Sequence, residues 1–108
     1  MKRTIIEIPL KTKQINEVLG VIDSVLQPAG YTPEVFNGQS VWSKGDGTLI
    51  KKFCVTAIFS DHSVILHGWT HDSMLGEHDL EGFAGTFIKK KLKELLGVIQ
   101  STIYSRGL

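Results

Sequence analysis

The spacing of hydrophobic and polar residues changes along the chain, and each spacing predicts a different element. Near the start, RTIIEIPL alternates apolar and polar positions in the two-residue period of a half-buried strand. Strand-like segments return in the middle of the chain, where Asn37-Gly38 and Asp61-His62 are typical of tight hairpin turns. The predicted strands cover residues 3–10, 31–36, 39–43, 49–60 and 63–71, with a further turn at 44–48.

Two other segments repeat apolar residues at the three- to four-residue spacing of a helix that lies on an apolar surface. The first runs from 13 to 29; Thr12 is placed to cap its start, and Pro28 and Gly30 mark its end. The second runs from about 80 to 104. Its early apolar stripe, which includes Phe87, is rotated relative to its late stripe, so its two halves are expected to contact different surfaces.

These elements follow the order strand, helix, four strands, helix. Consecutive hairpins build an antiparallel sheet, and two amphipathic helices can cover one of its faces. The sequence therefore predicts a two-layer α+β fold, with an antiparallel sheet of about five strands and two helices on one face (β-α-β-β-β-β-α). With 108 residues and no segment that resembles a linker, the chain is expected to form a single domain over residues 1–108.

In its order of elements, the chain resembles the TATA-binding-protein-like fold. The stretch VWSKGDG…GWT…DLEGFAG…KKKLKELL is also similar to small, uncharacterised bacterial domains. The first resemblance implies only an arrangement of sheet and helices, and the second implies a bacterial protein without a known activity. Because one fold hosts many functions, neither resemblance carries a function to this chain.

The hairpin around Asp61-His62 determines which residues of its two strands share a face, since directly opposed residues point to the same side of a sheet. One face is compact and apolar and is expected to lie beneath the helices; it consists of Phe53, Val55, Ala57, Phe59, Val64, Leu66 and Gly68. The opposite face, called the outer face below, consists of Cys54, Thr56, Ile58, Ile65, His67 and Trp69.

The outer face is unusually apolar for a sheet surface. A half-exposed antiparallel sheet normally alternates apolar and polar residues, and here both faces carry large apolar side chains. We therefore expect a cover, which could be a second copy of the chain, another protein, a small apolar ligand or the chain's own residues 72–79. The sequence predicts a non-catalytic binding or assembly module that uses the six outer-face residues, with a homodimer as the favoured assembly.

The histidines point to a different chemistry. In LHGWTH, His67 and His71 have the four-residue spacing that chelates a metal on a helix. On a strand this spacing separates them by roughly 13 Å, which is too far to share one zinc ion. A second set falls in a predicted loop and consists of His71, Asp72, Glu77 and His78. Because its members could converge on a cation, a metal-binding protein or small enzyme that uses residues 71–79 is the first alternative.

A run of lysines in the second helix is the basis of the second alternative, nucleic-acid binding. Lys89, Lys90 and Lys93 fall outside the apolar stripe, where they could contact a phosphate backbone. The whole chain has 12 Lys and Arg against 11 Asp and Glu, and its net charge of +1 provides no general attraction to nucleic acid or to anionic membranes. We therefore interpret the lysines first as a solvated helix face.

No catalytic set is recognisable in the sequence. Cys54 and His67 would be neighbours on the outer face, but no orienting acid or oxyanion site accompanies them. No nucleotide-binding glycine pattern occurs, so we expect neither catalytic residues nor a cofactor. The single cysteine excludes an internal disulfide, and no apolar segment is long enough to cross a bilayer. A cytoplasmic protein without a membrane partner is expected.

Overall fold

The computed structural model describes residues 2–45, 51–74, 76–81 and 86–108, and these residues have the predicted α+β fold. An antiparallel sheet forms one layer, and both helices pack against one of its faces. The strands are β1 (Thr4–Pro9), β2 (Thr32–Phe36), β3 (Gln39–Lys44), β4 (Lys52–Phe59), β5 (Ser63–Asp72) and β6 (Gly76–His78). The helices are α1 (Ile15–Leu26), which continues into a 3-10 turn at Gln27–Ala29, and α2 (Thr86–Ser105).

The strands lie in the order β1-β5-β4-β3-β2, and each pairs antiparallel with its neighbour. The short β6 pairs with β5 beyond the start of β1, so β1 and β6 follow one another along the same edge of β5. The sequence pattern misses β6, because three residues are too few to show an alternation.

Both two-residue hairpins are confirmed. Asn37 and Gly38 have φ angles of 52° and 76°, as the turn between β2 and β3 requires. Around Asp61-His62, the strands β4 and β5 have the predicted register, and the opposed outer-face pairs are Cys54–Trp69, Thr56–His67 and Ile58–Ile65. The predicted division of this hairpin into a helix-facing side and an outer side is therefore confirmed.

The main core lies between the helices and the sheet. Its fully buried residues include Val18, Ile22, Leu26, Val55, Val64, Leu66, Leu92, Leu96 and Ile99. Gly68 of β5 lies beneath two leucines, and a Cβ atom at this position would approach Leu80 Cδ1 to 2.9 Å and Leu96 Cδ1 to 3.0 Å. The missing side chain at Gly68 thus allows α2 to pack closely on the sheet.

The start of α2 differs from the prediction. Leu80 and Glu81 are not helical, the described part of α2 runs from Thr86, and Leu80 is buried. Phe87 is 83% exposed, so the prediction that this residue of the early stripe covers an apolar surface of the chain is wrong. The predicted early stripe is out of phase with the buried side of α2, because Lys89, only two residues after Phe87, is the residue that is buried. The predicted stripe residues Phe83 and Ala84 lie outside the described residues.

The predicted cap at Thr12 is also wrong. The helix α1 follows Gln14, and no side chain caps its start. The Thr12 backbone N–H and hydroxyl both donate to the carbonyl oxygen of Leu108, at 2.9 and 3.2 Å. Leu108 follows Gly107, whose φ of 69° turns the chain at the end of α2 so that Leu108 packs into the core. The connection between β1 and α1 is therefore held against the end of α2.

Candidate functional site

The six predicted outer-face residues lie on one face of β4 and β5, but the structure divides them into two groups. Cys54, Thr56 and Trp69 are buried, with 0%, 3% and 1% of their surface exposed. Ile58 is 41% exposed, whereas Ile65 and His67 are half-buried. The chain thus covers about half of its own outer face without a second molecule.

The buried group forms a second, smaller core on this side of the sheet. Trp69 and Cys54 pack with Val41 of β3, and Phe36 of β2 lies against them. Thr56 supports the same region, since its hydroxyl donates to the backbone carbonyl of Ser40 at 2.8 Å. Side chains from β2, β3, β4 and β5 therefore meet under the surface of the outer face.

Arg3, immediately before β1, covers this second core. Its guanidinium carbon lies 3.6 Å from the centre of the Trp69 ring, in the geometry of a cation–π contact. Its Nε and Nη2 atoms donate to the two carboxylate oxygens of Glu77 at 2.9 and 2.8 Å. The side chains of Arg3 and Glu77 are only 19% and 10% exposed, so the two-pronged ion pair closes over the tryptophan.

The remaining contacts of Arg3 determine the protonation of His67. The Nη1 atom of Arg3 lies 3.2 Å from the Gln39 amide oxygen and 3.3 Å from His67 Nδ1. A guanidinium can only donate hydrogen bonds, so Nδ1 must accept and carries no proton. The imidazole is therefore neutral, with its hydrogen on Nε2. Burial and then the charge of Arg3 lower the pKa of His67, although the Glu77 carboxylate opposes them.

The carboxyl group of Glu77 responds in the way expected of an acid that is paired with arginine. The hydrogen bonds from Arg3 lower its pKa below the ordinary value of 4.5, and burial opposes this change. The Arg3 contact thus favours the ionised form of Glu77 and the neutral form of His67.

We expect the free energy of unfolding to fall as the pH is lowered through 6.5, the ordinary pKa of histidine, towards the lower pKa of His67 in the folded chain. The pKa of His67 in the folded chain lies below its ordinary value of 6.5. At pH values between these two pKa values, the unfolded chain therefore binds more protons than the folded chain. The contribution of His67 to the free energy of unfolding is therefore fully present above pH 6.5, and it is lost as the pH falls towards the folded pKa. The Glu77 contribution is lost only below its ordinary value of 4.5. Urea denaturation at several pH values measures how the free energy of unfolding changes with pH.

The matched control is His67→Gln, whose amide oxygen can accept from Arg3 but does not titrate. In this variant the free energy of unfolding should depend less steeply on pH than in the wild type, because only the contribution of His67 is removed. The other three histidines are unchanged. An NMR titration of His67 with a pKa at or above 6.5 would contradict the assignment.

A second polar contact lies beside the Arg3 cover. Lys52 Nζ is 2.9 Å from Glu34 Oε1 and 5.1 Å from the centre of the Phe36 ring, and Lys52 is 8% exposed. The hydrogen bond from Lys52 lowers the pKa of Glu34. The edge of Phe36 meets the His71 ring, at 5.0 Å between centroids. These contacts close the end of the outer face that lies towards β6.

The residues of the metal-binding alternative are not brought together. The prediction that these four residues lie in a loop is wrong, because His71 and Asp72 end β5 and Glu77 and His78 belong to β6. His71 and Glu77 are opposed on the outer face, whereas alternation places Asp72 and His78 on the other side of the sheet. Within the described ranges, no group of three or more His, Cys, Asp or Glu residues could hold a metal ion.

The lysines of the nucleic-acid alternative occupy different environments. Lys89 is 5% exposed and its Nζ donates to the backbone carbonyl of Glu81 at 3.1 Å, so the prediction that it lies on a solvated face is wrong. It shares the buried side of α2 with Leu92, three residues later. Lys93 pairs with the Glu81 carboxylate at 2.9 Å, and Lys90 is exposed. The run therefore does not form a continuous cationic surface.

The Cys54 thiol is poorly suited to nucleophilic chemistry. It is fully buried, and this burial raises its pKa to about 12. The thiol therefore stays protonated near neutral pH, and thiolate is the nucleophilic form. Its neighbour His67 is hydrogen-bonded to Arg3 rather than to the thiol.

The sequence prediction misses several residues of this site, among them Arg3, Ile5 and Gln39. The signal that could have found the first two is the pairing of β1 with β5. In that register Ile5 lies opposite His67, and continuing it by two residues places Arg3 beside Trp69. No short-range pattern shows that these strands pair, because the whole of α1, β2, β3 and β4 lies between them.

Comparisons with known proteins give no match: no family model, no curated protein and no solved structure matches the chain. The resemblance to the TATA-binding-protein-like fold therefore stays a prediction. None of the helices in the described ranges is long and apolar enough to cross a membrane.

Proposed function

We propose that the chain is a non-catalytic assembly module that forms a homodimer through the outer face of its sheet. The observation that carries this proposal is an exposed cluster of isoleucines on three adjacent strands. Ile5 of β1 is 60% exposed, Ile58 of β4 is 41% exposed, and Ile65 of β5 lies between these strands and is half-buried. We call these three residues the isoleucine patch.

The contact surface proposed here is smaller than the six residues that the sequence suggests. Ile58, Ile65 and His67 remain accessible and are joined by Ile5, whereas Cys54, Thr56 and Trp69 support them from below. The Arg3–Glu77 ion pair limits the patch on the side of β6, because it replaces the apolar surface of Trp69 with a polar one. The dimer therefore uses the half of the outer face that lies towards the β4–β5 turn.

The size of the patch predicts a moderate affinity. Complete burial of an isoleucine side chain is worth roughly 1.5–3 kcal/mol, and each copy contributes three side chains that are already partly covered. Association also costs several kcal/mol in lost rotational and translational freedom. We therefore expect a dissociation constant on the order of 1–100 µM, which corresponds to roughly 5.5–8 kcal/mol.

We expect Ile58→Lys to convert the dimer to a monomer, because it places a charge in an apolar interface. Sedimentation velocity between about 1 and 200 µM, a range that brackets the expected dissociation constant, measures the change. The matched control is Val35→Lys. Val35 is 74% exposed, but it pairs with Ser40 and lies on the helix-facing side of the sheet. Its replacement should therefore leave the dimer intact.

A wild-type protein that stays monomeric over this concentration range would overturn the proposal. So would an Ile58→Lys variant that dimerises as strongly as the wild type while it keeps the circular dichroism spectrum of the folded protein.

The location proposed for the protein is the cytoplasm. Cys54 is a free thiol, and a chain that depends on no disulfide is suited to a reducing compartment. A bacterial source, suggested only by the similarity of its C-terminal two thirds, stays a prediction.

A further inference from the structure

A shallow depression lies on the outer face beside the isoleucine patch. It has a volume of about 360 Å³, opens to solvent, and is lined by Arg3, Ile5, Gln39, His67 and Glu77. Ile5 belongs to both surfaces, so any molecule that covers the patch also approaches the depression.

The free polar groups of the depression are mainly hydrogen-bond donors. The Gln39 amide oxygen accepts from Arg3, so its NH₂ group is the part that can bind another molecule. His67 accepts through Nδ1, which leaves the Nε2 hydrogen available. Arg3 has five N–H groups and uses four of them in the hydrogen bonds described above. The Glu77 carboxylate is held by Arg3 through both oxygens, so the groups that remain for another molecule are the Gln39 and His67 donors, which suit an acceptor such as a carboxylate.

One carboxylate of the chain lies on the same face and has no ion-pair partner within the described ranges. Glu7 of β1 is exposed, and it is opposed to Ile65 of the isoleucine patch. Three other glutamates are paired with cations elsewhere: Glu17 with Arg106, Glu34 with Lys52 and Glu81 with Lys93. Glu7 lies two residues after Ile5 on the same strand, or about 7 Å along the face from the depression.

From this complementarity we infer that the Glu7 carboxylate of a second copy binds in the depression of the first, an inference that rests on the proposed dimer. A two-fold axis that crosses the strands between Ile5 and Glu7 brings Glu7 of each copy over Ile5 of the other. Glu7 of the first copy then meets the depression of the second while Glu7 of the second meets the depression of the first, as the symmetry of an isologous interface requires. The isoleucine patch supplies apolar area, and the paired Glu7 contacts determine how the two sheets are oriented.

The test is a charge exchange between the two sides of this contact. Glu7→Lys should raise the dimer dissociation constant about tenfold or more, because it presents a cation to donors and to Arg3. Gln39→Glu should weaken the dimer similarly, because its new carboxylate faces Glu7 of the other copy. The double variant should return to within about threefold of the wild type, since opposite charges meet again. The matched control is Glu94→Lys, the same charge change on exposed α2, which should have little effect.

The outcomes separate this inference from the proposed function. If Ile58→Lys gives a monomer but Glu7→Lys keeps the wild-type dissociation constant, the dimer stands and the Glu7 contact is overturned. Failure of the double variant to recover, with each single variant weakened, also overturns it, because the two positions then do not face each other. If the wild type is a monomer, the proposed function fails and the Glu7 contact fails with it.

Discussion

Trp69→Ala is expected to destabilise the protein by about 3–5 kcal/mol, the cost of removing a fully buried aromatic side chain. Trp69 is 1% exposed although it faces away from the helices, and it packs with Val41 and Cys54. Its loss would leave a cavity that Arg3 cannot fill, because the guanidinium is held by Glu77. Urea unfolding followed by circular dichroism measures the change.

Trp69→Phe is the informative companion variant. The indole N–H of Trp69 is buried and has no hydrogen-bond partner within the described part of the chain, so its removal leaves no partner unsatisfied. The phenyl ring keeps an aromatic surface beneath the Arg3 guanidinium. We therefore expect a loss of less than half that of Trp69→Ala. A loss of under about 1 kcal/mol for Trp69→Ala would show that the second core contributes little to stability.

The β4–β5 hairpin shows how much of the candidate site can be predicted from the sequence. A turn of two residues leaves no freedom in the register, so the position of Asp61-His62 determines every opposed pair up to Cys54–Trp69. Alternation then assigns each side chain to a face. The outer face was thus predictable in its membership, because a local turn and a local pattern decide it.

The burial of that face was not predictable in the same way. Its cover is Arg3, which lies 74 residues from Glu77 along the chain. An arginine before a strand gives no local indication that it will stack on a tryptophan. Apolar residues such as Trp69 also suggest an apolar cover, whereas a planar guanidinium with a paired carboxylate serves as well. The sequence therefore predicts that the outer face needs a cover but overestimates how much of it is left for a partner.

The helix α2 illustrates a different limit. Its second half could be placed from periodicity, because Leu92, Leu96 and Ile99 repeat on one side and are all buried. Periodicity does not show where the helix starts, and an apolar residue outside it, such as Leu80, can be added to the stripe by mistake. This error places Lys89 on the solvated face of the helix in the prediction. In the structure its stem is buried on the core side, and its ammonium group reaches the Glu81 carbonyl.

Glu77→Gln tests whether the Arg3 cover holds the outer face together. The substitution removes the charge that faces Arg3 but keeps the shape of the side chain, and it leaves a largely buried cation without a counter-ion. Loss of one partner of a fully buried ion pair costs about 3–5 kcal/mol, and partial exposure of Arg3 lowers the expected loss to about 1–3 kcal/mol.

The matched control for this prediction is Glu81→Gln. Glu81 also pairs with a cation at 2.9 Å, but the side chains of Glu81 and Lys93 are 53% and 45% exposed. Water screens such a pair, so its loss should cost less than about 1 kcal/mol. The difference between the two variants in urea unfolding isolates the effect of burial. Equal losses would mean that the Arg3–Glu77 contact is an ordinary surface pair, and that Trp69 stays covered by packing alone.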